Sequence, residues 1–188
     1  MKYIYTFITV LTFGVFALAQ VPAVDFESNG ADYITASTGN TGTVTIVDDA
    51  VDAATYGKVA NVENPAEQYD AWIIKLDNKI SFADPSKKVL SVDFRDPTAT
   101  ARVILLKVSQ GNDTFVNGDG AAITAYEVQA TTAESADWQT LTFDFSSAQG
   151  SFPNNAFTND IVGEYSQLEI FIDFGTAVSS NTFVDNFR

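Results

Sequence analysis

Apolar and polar side chains alternate along most of this chain with the two-residue period of a β-strand. The clearest case is residues 138–145, in which Leu141, Phe143 and Phe145 fall on one face, and Trp138 and three polar residues fall on the other. A strand with one aromatic-rich apolar face needs a second layer to cover it. This stretch therefore predicts one strand of a two-layer β structure, and the rest of the chain is expected to supply the partners.

Strand patterns recur along the whole chain, separated by turn residues about every 8 to 12 positions, and no helical stripe interrupts them. Residues 102–109 are nearly continuous in apolar side chains, as expected of a central strand that is covered on both sides. The pattern predicts one all-β domain, a two-sheet antiparallel β-sandwich. The other predicted strands are residues 24–27, 33–36, 43–47, 56–62, 69–76, 89–95, 121–130, 168–175 and 182–187.

The first 19 residues have the pattern of a secretory signal peptide. Lys2 precedes an apolar run that ends in small residues at Ala17 and Ala19, so cleavage is predicted between Ala19 and Gln20. Residues 20–188 then form the sandwich domain, which is expected to be secreted, extracellular or at the cell surface, without a membrane span. Because the chain stops directly after a strand, we expect the domain to be the front module of a longer polypeptide.

Acidic residues outnumber basic ones by 24 to 10, which gives a formal charge of −14, or −15 once Lys2 is removed. This charge argues against nucleic acid as a partner, since phosphate binding needs a basic surface. The chain has no His and no Cys, so imidazole bases, thiolate nucleophiles and disulfides are excluded. A non-catalytic monomer without a redox cofactor is predicted.

Three motifs together resemble a known family: Val-Asp-Phe-Glu at 24–27, Trp-Gln-Thr-Leu-Thr-Phe-Asp-Phe at 138–145, and Phe-Ile-Asp-Phe-Gly followed by Phe-Val-Asp-Asn-Phe at the end. They are similar to the jelly-roll carbohydrate-binding modules of families 4 and 16, which accompany secreted bacterial glycoside hydrolases of the laminarinase type. The resemblance implies a jelly roll of the galactose-binding-like class, a structural calcium ion, and a sugar-binding surface lined with aromatic side chains.

Sugar binding uses flat aromatic faces that stack on pyranose rings and polar groups that bind hydroxyls. Trp72 and Tyr69 are the first candidates for such a platform, and Tyr126 is the next. Packing in the core or at a sheet edge is an equally good explanation for any one aromatic residue. The candidates for hydrogen bonding are Arg95, Arg102, Lys107, Glu127 and Gln129, although an ordinary solvated sheet face would look the same.

The resemblance also places Glu27, with Asp25, beside Asp185, because the first and last strands of a jelly roll are neighbours. Calcium binds six to eight hard oxygen atoms, so this acidic set is predicted to hold a structural Ca²⁺. The alternative is that Asp25 and Glu27 cap a turn while Asp185 is solvated. The oxygen-rich loop at 112–119 is a second candidate, but its spacing is not that of a calcium hand and a solvated loop is the simpler explanation.

These features predict non-catalytic binding of a neutral polysaccharide such as a β-glucan, which would target an attached or partner glycoside hydrolase. A glycosidase needs two carboxylates about 5–10 Å apart across a sugar, and no catalytic carboxylate motif is present. The alternative is a structural or adhesive surface domain without glycan specificity. Exposure of Trp72 and Tyr69 on one surface distinguishes the two.

Overall fold

The structure is a computed structural model that describes residues 24, 26–27, 34–35, 42–109, 125–147, 149–150, 161 and 163–188. In this part of the chain, strands dominate and the only α-helix is a single turn, α1 (Ala53–Tyr56). The strands are β1 (Ile34–Thr35), β2 (Thr43–Asp48), β3 (Lys58–Asn64), β4 (Ala71–Ser81), β5 (Val89–Arg95), β6 (Val103–Ser109), β7 (Ala125–Thr131), β8 (Gln139–Asp144), β9 (Gln149–Gly150), β10 (Glu164–Ile172) and β11 (Ser180–Asp185).

The strands form two antiparallel sheets. One sheet has six strands in the order β1-β4-β10-β6-β7-β9, and the other has five in the order β2-β3-β11-β5-β8. Strands that are distant in sequence are neighbours in both sheets. Val24, near the start of the described chain, pairs with Phe187 next to its end. The predicted all-β sandwich is therefore confirmed.

The core lies between the two sheets, and strand alternation determines which side chains enter it. Leu141 and Phe143 of β8 are buried, as is Phe145, which begins a short 3₁₀ turn (Phe145–Ser147) after the strand. In the facing sheet, Trp72 and Ile74 of β4 belong to the same buried cluster. The face predicted for residues 138–145 is thus the core face.

Two neighbouring strands of the six-stranded sheet are buried on both faces. β6 is buried from Ile104 to Ser109, and β10 from Gln167 to Ile172. The near-continuous apolar run predicted this for β6. The polar residues Lys107 and Glu169 are also buried, although both lie on the face that points away from the core.

Several element boundaries differ from the prediction. The strand expected at 56–62 begins at Lys58, because Asp52 caps a helical turn, α1 (Ala53–Tyr56), and Gly57 adopts a positive φ of 55°. β10 begins at Glu164, inside a stretch that lacks clear alternation. No helix within the described residues is long and apolar enough to cross a membrane. The predictions for residues 1–19, Asp25 and the loop at 112–119 lie outside the described residues.

Candidate functional site

The outer face of the six-stranded sheet carries charged side chains in a single row across three strands. Glu169 of β10 pairs with Lys107 of β6, and Lys107 pairs with Glu127 of β7. Lys107 Nζ lies 3.0 Å from Glu169 Oε2, and Gln167 Nε2 donates to Glu169 Oε1 at 3.1 Å. We call Gln167, Glu169, Lys107 and Glu127 the polar row. It brings together two predicted hydrogen-bonding residues, Lys107 and Glu127.

The ion pair in this row is largely removed from water. The side chains of Lys107 and Glu169 are 9% and 7% exposed. Desolvation makes such a pair costly to bury, and its net contribution to stability is often small or negative. The pair does fix the direction of both polar groups, which is the property that a preformed binding surface needs.

Three aromatic side chains continue the same face beyond the polar row. Phe171 lies two residues after Glu169 on β10, so both side chains point to the same side. The ring of Phe174 lies edge-on to Phe171 at 5.2 Å and to Tyr69 at 5.4 Å. Phe171 is buried against Ala71. We call Tyr69, Phe171 and Phe174 the aromatic end.

Exposure within the aromatic end increases outward from the sheet. Phe171 is 7% exposed, Phe174 is 37% exposed and Tyr69 is 61% exposed. Single exposed rings are common on protein surfaces, but Tyr69 and Phe174 adjoin, and contiguous exposed apolar surface is typical of binding sites. Tyr69 is therefore accessible, as a platform residue must be.

Two loops carry these exposed rings, and the backbone ties the loops together. Gly175 N–H donates to the carbonyl of Gln68 at 2.8 Å. Asp173, which precedes Phe174, accepts from Arg102 Nη1 at 2.7 Å and from Val103 N–H at 3.1 Å. The positions of Tyr69 and Phe174 are thus set by contacts inside the protein.

Arg102 supports this loop from behind through its carboxylate contacts. It is 5% exposed, and its second carboxylate partner is Asp96, at 2.6 Å from Nε. Burial by itself would raise the pKa of Asp96, but hydrogen bonds from Thr98 and Arg102 hold this pKa below its ordinary value. Both carboxylate contacts of Arg102 are internal and lie away from the polar row, and a sugar contact by Arg102 stays a prediction.

Trp72 is wrong as a platform residue, because it lies in the core. The indole is 3% exposed and meets Phe187 edge-on at 6.1 Å. Tyr126 faces the core side of β7, where its ring packs edge-on against buried Tyr165 at 6.0 Å. Neither ring presents a flat face to solvent on the surface that holds Lys107 and Glu127.

Arg95 lies on the opposite surface of the molecule, the outer face of the five-stranded sheet. Its guanidinium stacks over Phe183 at 4.3 Å and over Trp138 at 5.6 Å, and Nη2 donates to Asp49 at 3.2 Å. Trp138 stacks in turn on Tyr56 at 4.2 Å. Arg95 is 5% exposed and lies on the other face from Lys107 and Glu127, so the structure does not bring these predicted hydrogen-bonding residues together.

Of the predicted calcium ligands, Glu27 lies at the start of β3 and Asp185 at the end of β11. Glu27 Oε1 accepts from Lys58 N–H at 2.6 Å, and a Cβ at Gly57 would lie only 1.8 Å from the same oxygen. Asp185 is buried beside Asp93. Two carboxylates from opposite ends of the chain thus reach one region, but no group of three or more acidic side chains that fits a metal occurs among the described residues. Calcium binding stays a prediction.

Four residues of this face were not predicted from the sequence: Gln167, Glu169, Phe171 and Phe174. Alternation along residues 168–175 contained part of the signal, because Glu169 and Phe171 must face away from Leu168 and Ile170. Some of the residues that these four residues contact, such as Lys107 and Tyr69, are distant in sequence. No local pattern specifies that β10 lies between β4 and β6.

Several solved structures have a fold similar to that of this chain. The chain is similar to the family 11 carbohydrate-binding module from Clostridium thermocellum, solved with a beta-1,3-1,4-mixed-linked tetrasaccharide, with 16% identity, a TM-score of 0.54, and coverage of 88% of this chain and 92% of that one. The fold is that of the β-sandwich carbohydrate-binding modules.

Two further structures share this carbohydrate-binding-module fold. The CBM22-2 xylan-binding domain of Paenibacillus barcinonensis Xyn10C has 12% identity and a TM-score of 0.51, over 88% of this chain and 96% of that one. The Clostridium thermocellum xylanase 10B CBM22-1–GH10 structure, solved with xylohexaose, has 12% identity and a TM-score of 0.56, over 91% of this chain and 28% of that one. No protein-family model and no curated protein matches the sequence.

Proposed function

We propose that this domain binds a neutral polysaccharide without catalysing a reaction, along the outer face of the six-stranded sheet. One observation supports the proposal most directly. The exposed rings of Tyr69 and Phe174 adjoin, on the same face, a row of ordered polar groups formed by Glu169, Lys107 and Glu127.

The chemistry of a sugar chain matches this surface. The apolar C–H face of a pyranose ring stacks on an aromatic ring, whereas the equatorial hydroxyls both donate and accept hydrogen bonds. Tyr69 and Phe174 supply the first kind of contact. Glu127, at the partly exposed end of the row, supplies an acceptor, and the buried ion pair of Lys107 and Glu169 holds oriented charges beside it, so little side-chain entropy is lost when a ligand binds.

Net charge favours a neutral glycan over an acidic one. The chain carries −14, and like charges repel sulfated or uronic polymers unless a cation lies between them. We propose a β-glucan as the ligand. The family 11 module with its bound mixed-linked tetrasaccharide supports this choice through its shared fold.

We also propose that the domain acts outside the cell, beside a glycoside hydrolase. The signal-like segment at residues 1–19 supports export. The xylanase 10B structure, in which a module of this fold accompanies a GH10 module, supports the association with a hydrolase.

The test is a screen of the domain against neutral β-glucans, mannans, xylans and acidic algal polysaccharides, by glycan array and affinity gel. The parent is expected to bind a neutral β-glucan, and Tyr69→Ala is expected to weaken that binding about 5- to 150-fold, which corresponds to about 1–3 kcal/mol.

The matched control is Tyr56→Ala, which removes a half-buried ring of α1 that stacks on Trp138, away from the proposed binding face. This variant should keep the parental affinity while its circular dichroism spectrum remains that of a β-protein. Binding to no glycan would favour the structural or adhesive alternative. Equal losses in both variants would reject the assigned face.

A further inference from the structure

A small cavity lies between the two sheets, beside the segment that leads into β4. Its volume is about 10 Å³, and Asn64, Asp70 and Trp72 are among the residues that line it. These residues are 5%, 8% and 3% exposed. The cavity is the size of one water molecule.

Each of the three side chains has a buried polar atom without a hydrogen-bond partner. The atoms are Asn64 Oδ1, Asp70 Oδ1 and Trp72 Nε1. The amide orientation of Asn64 is determined by its other end, because Nδ2 donates to the carbonyl of Ile172 at 3.0 Å. Two acceptors and one donor are therefore left unsatisfied, although buried polar groups in folded proteins are normally paired.

The backbone around the cavity is also shaped to admit the carboxylate of Asp70. A Cβ at Gly42 would lie 2.2 Å from Asp70 Oδ2 and 2.9 Å from the carbonyl oxygen of Glu63. Any side chain at Gly42 would therefore collide with the carboxylate. Only glycine leaves the space in which Asp70 reaches the cavity.

We propose that this cavity holds one ordered water molecule. The water donates one hydrogen bond to Asp70 Oδ1 and one to Asn64 Oδ1, and it accepts one from Trp72 Nε1–H. A buried water typically makes about three hydrogen bonds, and this site offers that number. A metal cation fits less well, because the indole N–H directs its positive end into the same space.

The water links the end of β3 to the segment that leads into β4. Asn64 ends β3, Trp72 lies in β4, and Asp70 precedes β4 directly after Tyr69. The water thereby holds the segment that carries the most exposed aromatic ring of the outer face. The assignment itself does not depend on what that face binds.

Nuclear magnetic resonance on the ¹⁵N-labelled protein tests this proposal with an internal control. The chain has two tryptophans, and Trp138→Phe assigns their indole signals. A long-lived water should give the Trp72 indole proton a cross-peak of the same sign as the diagonal in a NOE spectrum and of opposite sign in a ROE spectrum. Trp138 should give no such peak, because its Nε1 already donates to Asp49 at 3.1 Å.

A high-resolution crystal structure is the second measurement. We expect one density peak about 2.7–3.2 Å from each of the three atoms, unchanged by a chelator. A peak about 2.3–2.6 Å from the oxygen atoms would identify a cation and overturn the proposal. An empty cavity, together with no water cross-peak at Trp72, would also overturn it.

Discussion

Two aromatic residues three positions apart have opposite surroundings in this protein. Tyr69 is 61% exposed and Trp72 is 3% exposed. Tyr69 lies before β4 begins, in a connection, whereas Trp72 is inside the strand and shares the face of Ile74 and Leu76. Position relative to the strand, and not the kind of ring, determines which of the two is available to a ligand.

Replacing Trp72 with Ala is expected to destabilise the fold. The change removes a large buried side chain and leaves a cavity between the sheets, at a cost of about 3–5 kcal/mol. Urea unfolding followed by circular dichroism measures it, with Tyr69→Ala as the control because that ring is mostly exposed. A Trp72→Ala protein that unfolds at the parental urea concentration would show that the indole is not a core residue.

The sequence was sufficient to predict the faces of the regular strands, but not the surroundings of the charged residues. Alternation assigned Leu141 and Phe143 to the core correctly. Arg102 and Lys107 belong to the same apolar run, yet one lies behind a loop in contact with Asp96 and the other faces the outside of the sheet. Their partners are remote in sequence, so no local pattern distinguishes the two roles.

At the scale of elements, β6 and β10 form the middle of the candidate site. They pair along their length, and each contributes one member of the buried ion pair between Lys107 and Glu169. Because buried pairs contribute little net stability, we attribute this pair to the orientation of polar groups at the surface.

Variants that break this ion pair separate its effect on stability from its effect on glycan affinity. Lys107→Met should destabilise the protein by up to about 3–5 kcal/mol, because the carboxylate of Glu169 stays buried without its ammonium partner. The double variant Lys107→Met/Glu169→Leu should recover most of the stability, since neither charge remains. Chemical denaturation measures both.

Glycan affinity of the double variant is the decisive comparison for this pair. If the polar row binds hydroxyls, affinity stays low although the fold has recovered. Parental affinity in the double variant would mean that the ion pair has no part in binding.

The segment between β5 and β6 should make the fold sensitive to acid. The pKa of Asp96 is depressed in the folded state, so the unfolded state binds more protons near the ordinary carboxyl pKa of about 3.9. The contribution of Asp96 is therefore complete above about pH 4 and is lost as the pH falls further. Thermal unfolding between pH 6 and pH 2 should show this loss.

The matching variant for this acid effect is Asp96→Asn. We expect it to be less stable than the parent at pH 6 and to lose less stability between pH 4 and pH 2. An unchanged slope over that interval would exclude Asp96 as a source of the acid sensitivity.

At the scale of the whole molecule, the two ends of the described chain close the five-stranded side. Val24 pairs with Phe187, and Phe26 packs edge-on against Phe187 at 6.4 Å. The resemblance to carbohydrate-binding modules predicted this proximity, because it placed the first and last strands side by side. The relation between β4, β10 and β6 was not predictable, since it depends on how the sheets order their strands.

Calcium is expected to raise the melting temperature if Glu27 and Asp185 form part of an ion site. The stabilisation should follow RT ln(1 + [L]/Kd), because the ion binds the native state alone. Differential scanning calorimetry with calcium and with a chelator measures it. The rise in melting temperature with calcium should disappear in Asp185→Ala. A parent protein whose melting temperature is unchanged by the chelator would contradict the site.

We propose that a neutral glycan binds on the outer face of the six-stranded sheet. Amide chemical-shift mapping during titration with a soluble β-glucan oligosaccharide tests it most directly. We expect saturable shifts at Tyr69, Lys107, Glu127 and Glu169, with the outer face of the five-stranded sheet around Arg95 unchanged. Shifts confined to the face around Arg95 would contradict this proposal. The absence of shifts with every neutral glycan tested on the intact protein would also contradict it.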